Sequence, residues 1–214
     1  MGEVGVRELP AAVAPEGEPP EDIGTGHPMR EVTELVAADP SAWTPELAAR
    51  VAGFFDGKAG EWAAQRSDRS EVLVDALDRG ADRLAQPVVE LGAGTGAGTR
   101  VLAERVDHVV AGDLAGEMLG HLPSTLADRV QLDASALPLA DASVGTLVCV
   151  NMLLFADEVR RVLAPGGALV WVNSIGERTP IHLSAAAVGT ALGDGFTVTA
   201  SRCGWGTWAV ARRG

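Results

Sequence analysis

VVELGAGTGAGTR, residues 88–100, sets a short apolar run directly before four glycines at alternate positions, Gly92, Gly94, Gly96 and Gly98, with Glu90 the one acid in the stretch. Backbone without Cβ atoms loses more entropy on folding than any other, so it belongs where the chain turns sharply or where something must come close. A tight strand-to-helix turn needs one or two glycines, and this one has four. In open α/β sheets ligands bind beyond the carboxyl ends of the strands. The turn therefore predicts both a fold and a binding crevice.

From residue 87 onward the pattern alternates. Strands are predicted over 87–91, 108–113, 129–133, 143–151 and 167–173, and helices over 99–105, 115–122, 157–163 and 184–192. Such alternation gives βαβ units and a mostly parallel, doubly wound sheet. The last two strands, FTVTAS (196–201) and GTWAVAR (206–212), are joined only by Arg202 to Trp205. That connection is too short for a helical crossover, so the pair must be an antiparallel hairpin.

The chain before residue 87 reads differently. Pro28 to Ala38 predicts a first helix, stopped before Pro40. Thr44 as N-cap with Pro45 behind it opens a second, whose Leu47, Val51, Phe54 and Phe55 share one face and which Gly57 ends. A short piece surrounds Trp62, and residues 70–79 predict a further helix before Gly80. Residues 28–86 are thus expected to form a helical cap. Residues 1–27, rich in Pro, Gly and Glu and without a period of 2 or 3.6, predict a disordered acidic tail.

Composition narrows the partners. The 214 residues suffice for one full-sized domain with an appendage, and 47% hydrophobic with 21% charged residues is ordinary for a globular protein. The net charge is −12, Lys58 is the one lysine, and there is no Lys/Arg stripe, so neither nucleic acid nor an anionic membrane is an expected partner. No apolar run approaches the roughly 18–20 residues of a membrane span. The first residues lack the pattern of a secretory signal, and Cys149 and Cys203 make neither a disulfide framework nor a metal site, so a cytoplasmic location is expected. Absence of G-x-S-x-G, H-E-x-x-H and Cys/His clusters argues against hydrolase and metalloenzyme chemistry.

Which ligand the glycines serve is a separate question. Gly92, Gly94 and Ala97 satisfy G-x-G-x-x-G/A, and Asp113 follows Gly92 by 21 residues, where an acid meets ribose hydroxyls. That fingerprint alone allows a dinucleotide. Glu90 beside the first glycine, Asp133 at the end of the third strand and the C-terminal hairpin point elsewhere, because acids repel a pyrophosphate and dinucleotide-binding sheets usually run parallel throughout.

Four stretches in order complete the pattern. VVELGAGTGAGT resembles motif I of the class I S-adenosylmethionine-dependent methyltransferases. VVAGDLAGEML is similar to their second-strand motif, VQLDASALPLADASVGTLVCVNML to their third and fourth strands with an Asp-x-x-x-x-Pro loop, and VRRVLAPGGALVWV to the helix, Pro-Gly-Gly turn and fifth strand. The resemblance spans residues 87 to about 173, and the hairpin fits it. It implies a seven-stranded, doubly wound sheet of order 3-2-1-4-5-7-6 with strand 7 antiparallel, over residues 87–214, beneath the helical cap.

The resemblance also implies roles. Glu90 would hold the methionyl end of S-adenosylmethionine, with Gly92, Gly94 and Gly96 along the sulfonium and ribose. Asp113 would accept from the ribose hydroxyls, and Asp133 from the adenine amino group, with the Ala134 amide on a ring nitrogen. Met118 would lie on the adenine face unless it is a core residue of its helix, and Asn151 would face the methyl group. The expected activity is methyl transfer to a small-molecule acceptor, with no metal. A non-catalytic module that binds the cofactor is the alternative. An NAD(P)-dependent oxidoreductase is a weaker one, since the chain has no tyrosine and a single lysine. The stretch after strand four is short for the family, so the acceptor pocket is expected to draw on the cap and on SIGERTPIHLSA (174–185). Trp43, Phe54, Phe55 and Trp62 are candidate lid residues, and His182 is the best candidate for a general base.

Overall fold

The computed structural model describes residues 5–64 and 70–214. Its centre is one eight-stranded sheet: β1 (Val6–Glu8), β2 (Val88–Leu91), β3 (Val109–Asp113), β4 (Asp128–Gln131), β5 (Val144–Val150), β6 (Leu163–Asn173), β7 (Phe196–Cys203) and β8 (Gly206–Arg213). Across the sheet the order is β4-β3-β2-β5-β6-β8-β7-β1. Counted from β2, the first seven strands give 3-2-1-4-5-7-6. Strand β8 runs antiparallel to both neighbours, and every other pairing is parallel.

The helices are α1 (Pro28–Ala38), α2 (Pro45–Asp56), α3 (Ala59–Ala64), α4 (Glu71–Asp75, extended by a π turn to Gly80), α5 (Ala97–Ala103), α6 (Gly116–His121), α7 (Ala156–Val162) and α8 (Ala185–Leu192). Local chemistry starts several of them. The Thr44 side chain accepts from the Leu47 amide with Pro45 next in line, and the Ser184 side chain caps α8 through the Ala187 amide. The two faces of the sheet explain why its central strands read as unbroken apolar runs. Val89, Leu147, Leu169 and Trp171 pack toward α7 and α8 on one side, while Val88, Val148, Val170 and Val210 pack toward α4 and α5 on the other. With both faces dry, each Val or Leu of a central strand gains the roughly 1.5–3 kcal/mol of a buried aliphatic side chain, whichever way it points.

Three expectations need correction. The sheet has eight strands, not seven. The added one, β1, pairs parallel with β7 from within the stretch read as a disordered tail. Three residues of ladder, continued by Leu9 N–H to the Ala200 carbonyl and by Ser201 Oγ to the Leu9 and Pro10 carbonyls, hold it there. These backbone contacts have no side-chain period to announce them. Finally, α4 lies outside the cap: Val72, Leu73, Ala76 and Leu77 are buried against the sheet, and Asp75 takes the indole N–H of Trp208 on β8 at 2.6 Å.

Candidate functional site

The glycine turn links β2 to α5 at the carboxyl edge of the sheet, beside the points where β3 and β5 end. Gly92, Gly94 and Gly96 have φ of 71°, 55° and 89°, backbone that L side chains rarely adopt. Their surroundings differ. A Cβ at Gly92 would lie 2.6 Å from Met152 Sδ, and one at Gly96 would collide with Leu122, so these two are closed off by the fold itself. At Gly94 a Cβ would meet nothing within 4 Å. Gly94 is where the turn presents bare backbone to open space.

Two carboxyls flank it. Asp113, the last residue of β3, accepts from the Gly94 amide (2.7 Å) and the Ala115 amide (2.8 Å). Burial pushes its carboxyl above the ordinary range, with the nearby Asp56 adding to the rise and the amide bonds opposing it. Glu90 on β2 is fully buried, and it accepts a short bond from Thr99 Oγ1 on α5. Desolvation raises its pKa to about 8, against the Thr99 bond and with help from the Asp113 charge. A Cβ at Gly98 would strike Glu90 Oε1, which accounts for the fourth glycine as room for this carboxyl. A crevice in which acids already disfavour their own ionisation would reject a phosphate and welcome a cation.

The remaining expected residues fall around this pair. Asp133 stands two residues beyond β4 and accepts from the Ser135 amide (2.8 Å). Both its oxygens also take the indole N–H of Trp43, at 3.1 and 3.0 Å. Ala134 is buried beside it. Met118, on α6, is 1% exposed in a small cluster with Ala59, Ala115 and Phe55, a core position of the cap-to-α6 contact. Asn151 has φ 50° just after β5, and its side chain is spent on Ser174: Nδ2 donates to Ser174 Oγ and Oδ1 accepts from the Ser174 amide, each at 2.9 Å. The pair ties the carboxyl ends of β5 and β6 together.

Among the aromatic residues, Trp43 and Phe55 reach the site. Trp62 stacks edge-on outside Phe55, and Phe54 is 44% exposed. His182 is held by Arg30, whose Nη1 lies 3.3 Å from His182 Nδ1 while Nη2 donates to the Glu177 and Thr179 carbonyls. A guanidinium can only donate, so Nδ1 accepts and the proton of the neutral ring sits on Nε2. Burial and the Arg30 charge both lower the pKa of this histidine. With its basic nitrogen engaged, His182 is placed to fix the loop after β6 rather than to remove a proton. Sequence reasoning missed Asp56, whose Oδ1 accepts from the Glu117 amide (2.9 Å) at the start of α6. Nothing local marks it, because the contact spans the gap between cap and sheet.

Comparison with known proteins agrees with this geometry. A methyltransferase domain model matches residues 89–171. An uncharacterized methyltransferase of Mycobacterium tuberculosis is 40% identical over 114 residues, covering 49% of this chain and 46% of its own. The biotin biosynthesis bifunctional protein BioHC of Cellvibrio japonicus is 33% identical over 147 residues, 64% of this chain and 28% of that one. The chain therefore spans about half the length, or less, of these curated relatives. Among solved structures, a DhpI–SAH complex superposes with a TM-score of 0.58 at 21% identity, covering 76% of this chain and 95% of that one, which is a likeness of fold. The glycine turn, the strand-end acids and the reversed β8 thus lie in a chain whose residues 89–171 are similar to a methyltransferase domain and whose fold is like that of the DhpI–SAH complex.

Proposed function

We propose that this protein transfers a methyl group from S-adenosylmethionine to a small-molecule acceptor. The observation that carries the reading is Gly94: bare backbone facing open space, braced from below by Asp113 and adjoined by the buried Glu90. These groups suit a ligand that is cationic and has no phosphate. In our reading Glu90 holds the methionyl end, and the amide backbone at Gly94, between Gly92 and Gly96, meets the sulfonium and ribose. Asp113 uses its remaining acceptor capacity for the ribose hydroxyls, since a carboxylate offers about four acceptor positions and the backbone amides around it do not fill them all. Asp133 and the Ala134 amide take the adenine edge. Met118 supports this wall from within the core, and Asn151 with Ser174 shapes the far wall.

The cofactor, when bound, supplies a methyl group already activated by positive sulfur. The chain's own share is then proximity, orientation and exclusion of water. The small-molecule part of the reading rests on the charge of −12 and the lack of a basic surface stripe. No helix among the described residues is long and apolar enough to cross a membrane, and we take the cytoplasm as the working location.

Thermal unfolding of the purified chain with S-adenosylmethionine, S-adenosylhomocysteine and NAD tests the first half. Stabilisation by the two sulfur nucleosides and not by NAD is expected; stabilisation by NAD alone would end the reading. A transfer assay with labelled methyl groups over a panel of small acceptors tests the second half. Binding without transfer to any of them, or to endogenous small molecules, would leave a cofactor-binding module in its place.

A further inference from the structure

The crevice beyond β3 and β4 is spanned by a piece of the chain itself. Trp43 sits between the short 3-10 turn Pro40–Ala42 and α2. Its Nε1–H is shared between both oxygens of Asp133, and its ring stands edge-on to Phe155 with centroids 5.3 Å apart. At the other end of α2, Asp56 Oδ1 accepts from the Glu117 amide, four residues past Asp113. The segment 43–56 is thus fastened at one end to the acid beyond β4 and at the other to the helix that follows β3. Two cavities, of about 670 and 350 Å³, open elsewhere on the molecule, and the glycine turn lines neither.

We propose that Trp43 is a built-in competitor for the cofactor's adenine. The proposal rests on the reading of Asp133 as the acceptor for the adenine amino group. An indole is a flat heteroaromatic ring offering an N–H donor, which is also what an adenine edge offers to a carboxylate. Trp43 donates to both oxygens of Asp133 and the Ser135 amide to Oδ1, so three of about four acceptor positions are engaged and the indole itself stands against both oxygens the adenine amino group would approach. Binding then requires the Trp43–Asp133 bond to open and the amino group to take its place. The indole moves aside with the 3-10 turn while α2 stays tied at Asp56. The apparent affinity is lowered by the fraction of molecules in which the indole holds the acid. Trp43 is on this account a residue that sets cofactor affinity and access, by competing for a contact.

The test is the affinity for S-adenosylhomocysteine of the full chain and of Trp43→Phe, Asp133→Asn and the double variant, by isothermal titration. Thermal unfolding and far-UV circular dichroism confirm that each is folded. Trp43→Phe keeps the ring against Phe155 and loses the N–H donor, so it should bind about tenfold more tightly. Asp133→Asn should bind more weakly, and adding Trp43→Phe to it should gain much less than it does alone, because the acid that both donors contest has gone. Tryptophan emission should change when S-adenosylhomocysteine is added to the full chain, and most of that change should vanish in Trp43→Phe. Equal or weaker binding by Trp43→Phe, with binding by the full chain intact, would overturn the proposal alone. No binding by either folded protein would overturn it together with the methyltransferase reading.

Discussion

Asp113 has two duties that pull on the same oxygens. It pins the glycine turn by accepting from the Gly94 and Ala115 amides, and it is assigned the ribose of the ligand. Replacing it with alanine removes an acceptor from both. We expect Asp113→Ala to weaken S-adenosylhomocysteine binding by at least an order of magnitude, equivalent to about 1.4 kcal/mol, read by isothermal titration. Unchanged affinity would remove Asp113 from the site. The candidate acids were legible in the sequence because each lies at or near the carboxyl end of a predicted strand, and strand ends are where such sheets bind. Their partners were not. Trp43 meets Asp133 across 90 residues, and Asp56 meets Glu117 across 61; no spacing rule reaches that far. Asn151 was legible as a strand-end residue, but its commitment to Ser174 depends on the register of β5 against β6.

Elements were easier to read than contacts, and the glycine turn shows both sides of that. Its place between strand and helix follows from the unbroken apolar run before the glycines and the helix predicted directly after them. What each glycine is for depends on neighbours from other elements: Met152 after β5, Leu122 after α6, and open space. The three positions should therefore respond differently to alanine. Gly96→Ala brings positive-φ strain and a collision with Leu122, and should destabilise by about 2–4 kcal/mol. Gly94→Ala carries the strain alone, about 1–2 kcal/mol, yet places a methyl group in the space assigned to the ligand. Chemical denaturation and titration, run side by side, should show Gly94→Ala losing binding out of proportion to its stability. A Gly94→Ala protein that binds normally would mean that the ligand does not approach there. Of the elements, β1 eluded sequence reading, while α4 was read as a helix but placed in the cap. Strand β1 is short and held through backbone, and α4 reads as an ordinary amphipathic helix whether it faces a cap or a sheet.

At the scale of the whole molecule, the site stores an electrostatic cost that the fold must carry. Glu90 lies in the dry interior between β2, α4 and α5, and its pKa near 8 means that the folded chain holds this proton through neutral pH. The unfolded chain gives it up near the ordinary value of 4.5. Between those two pH values the folded state binds more protons than the unfolded one, so stability falls as pH rises. The full effect of one such carboxyl is on the order of a few kcal/mol, and Asp113, raised for the same reason, acts in the same direction. The charge of −12 adds self-repulsion over the same range. Glu90→Gln separates these contributions, because the amide keeps an acceptor for Thr99 and has no proton to lose. Its unfolding temperature, followed from pH 5 to 9, should fall less steeply than that of the parent and should lie above it by several degrees at pH 9. Parallel profiles would show that Glu90 is already ionised in the fold. The crevice would then hold a standing negative charge beneath the glycine turn, and a cationic ligand would find its counter-ion without any proton being displaced.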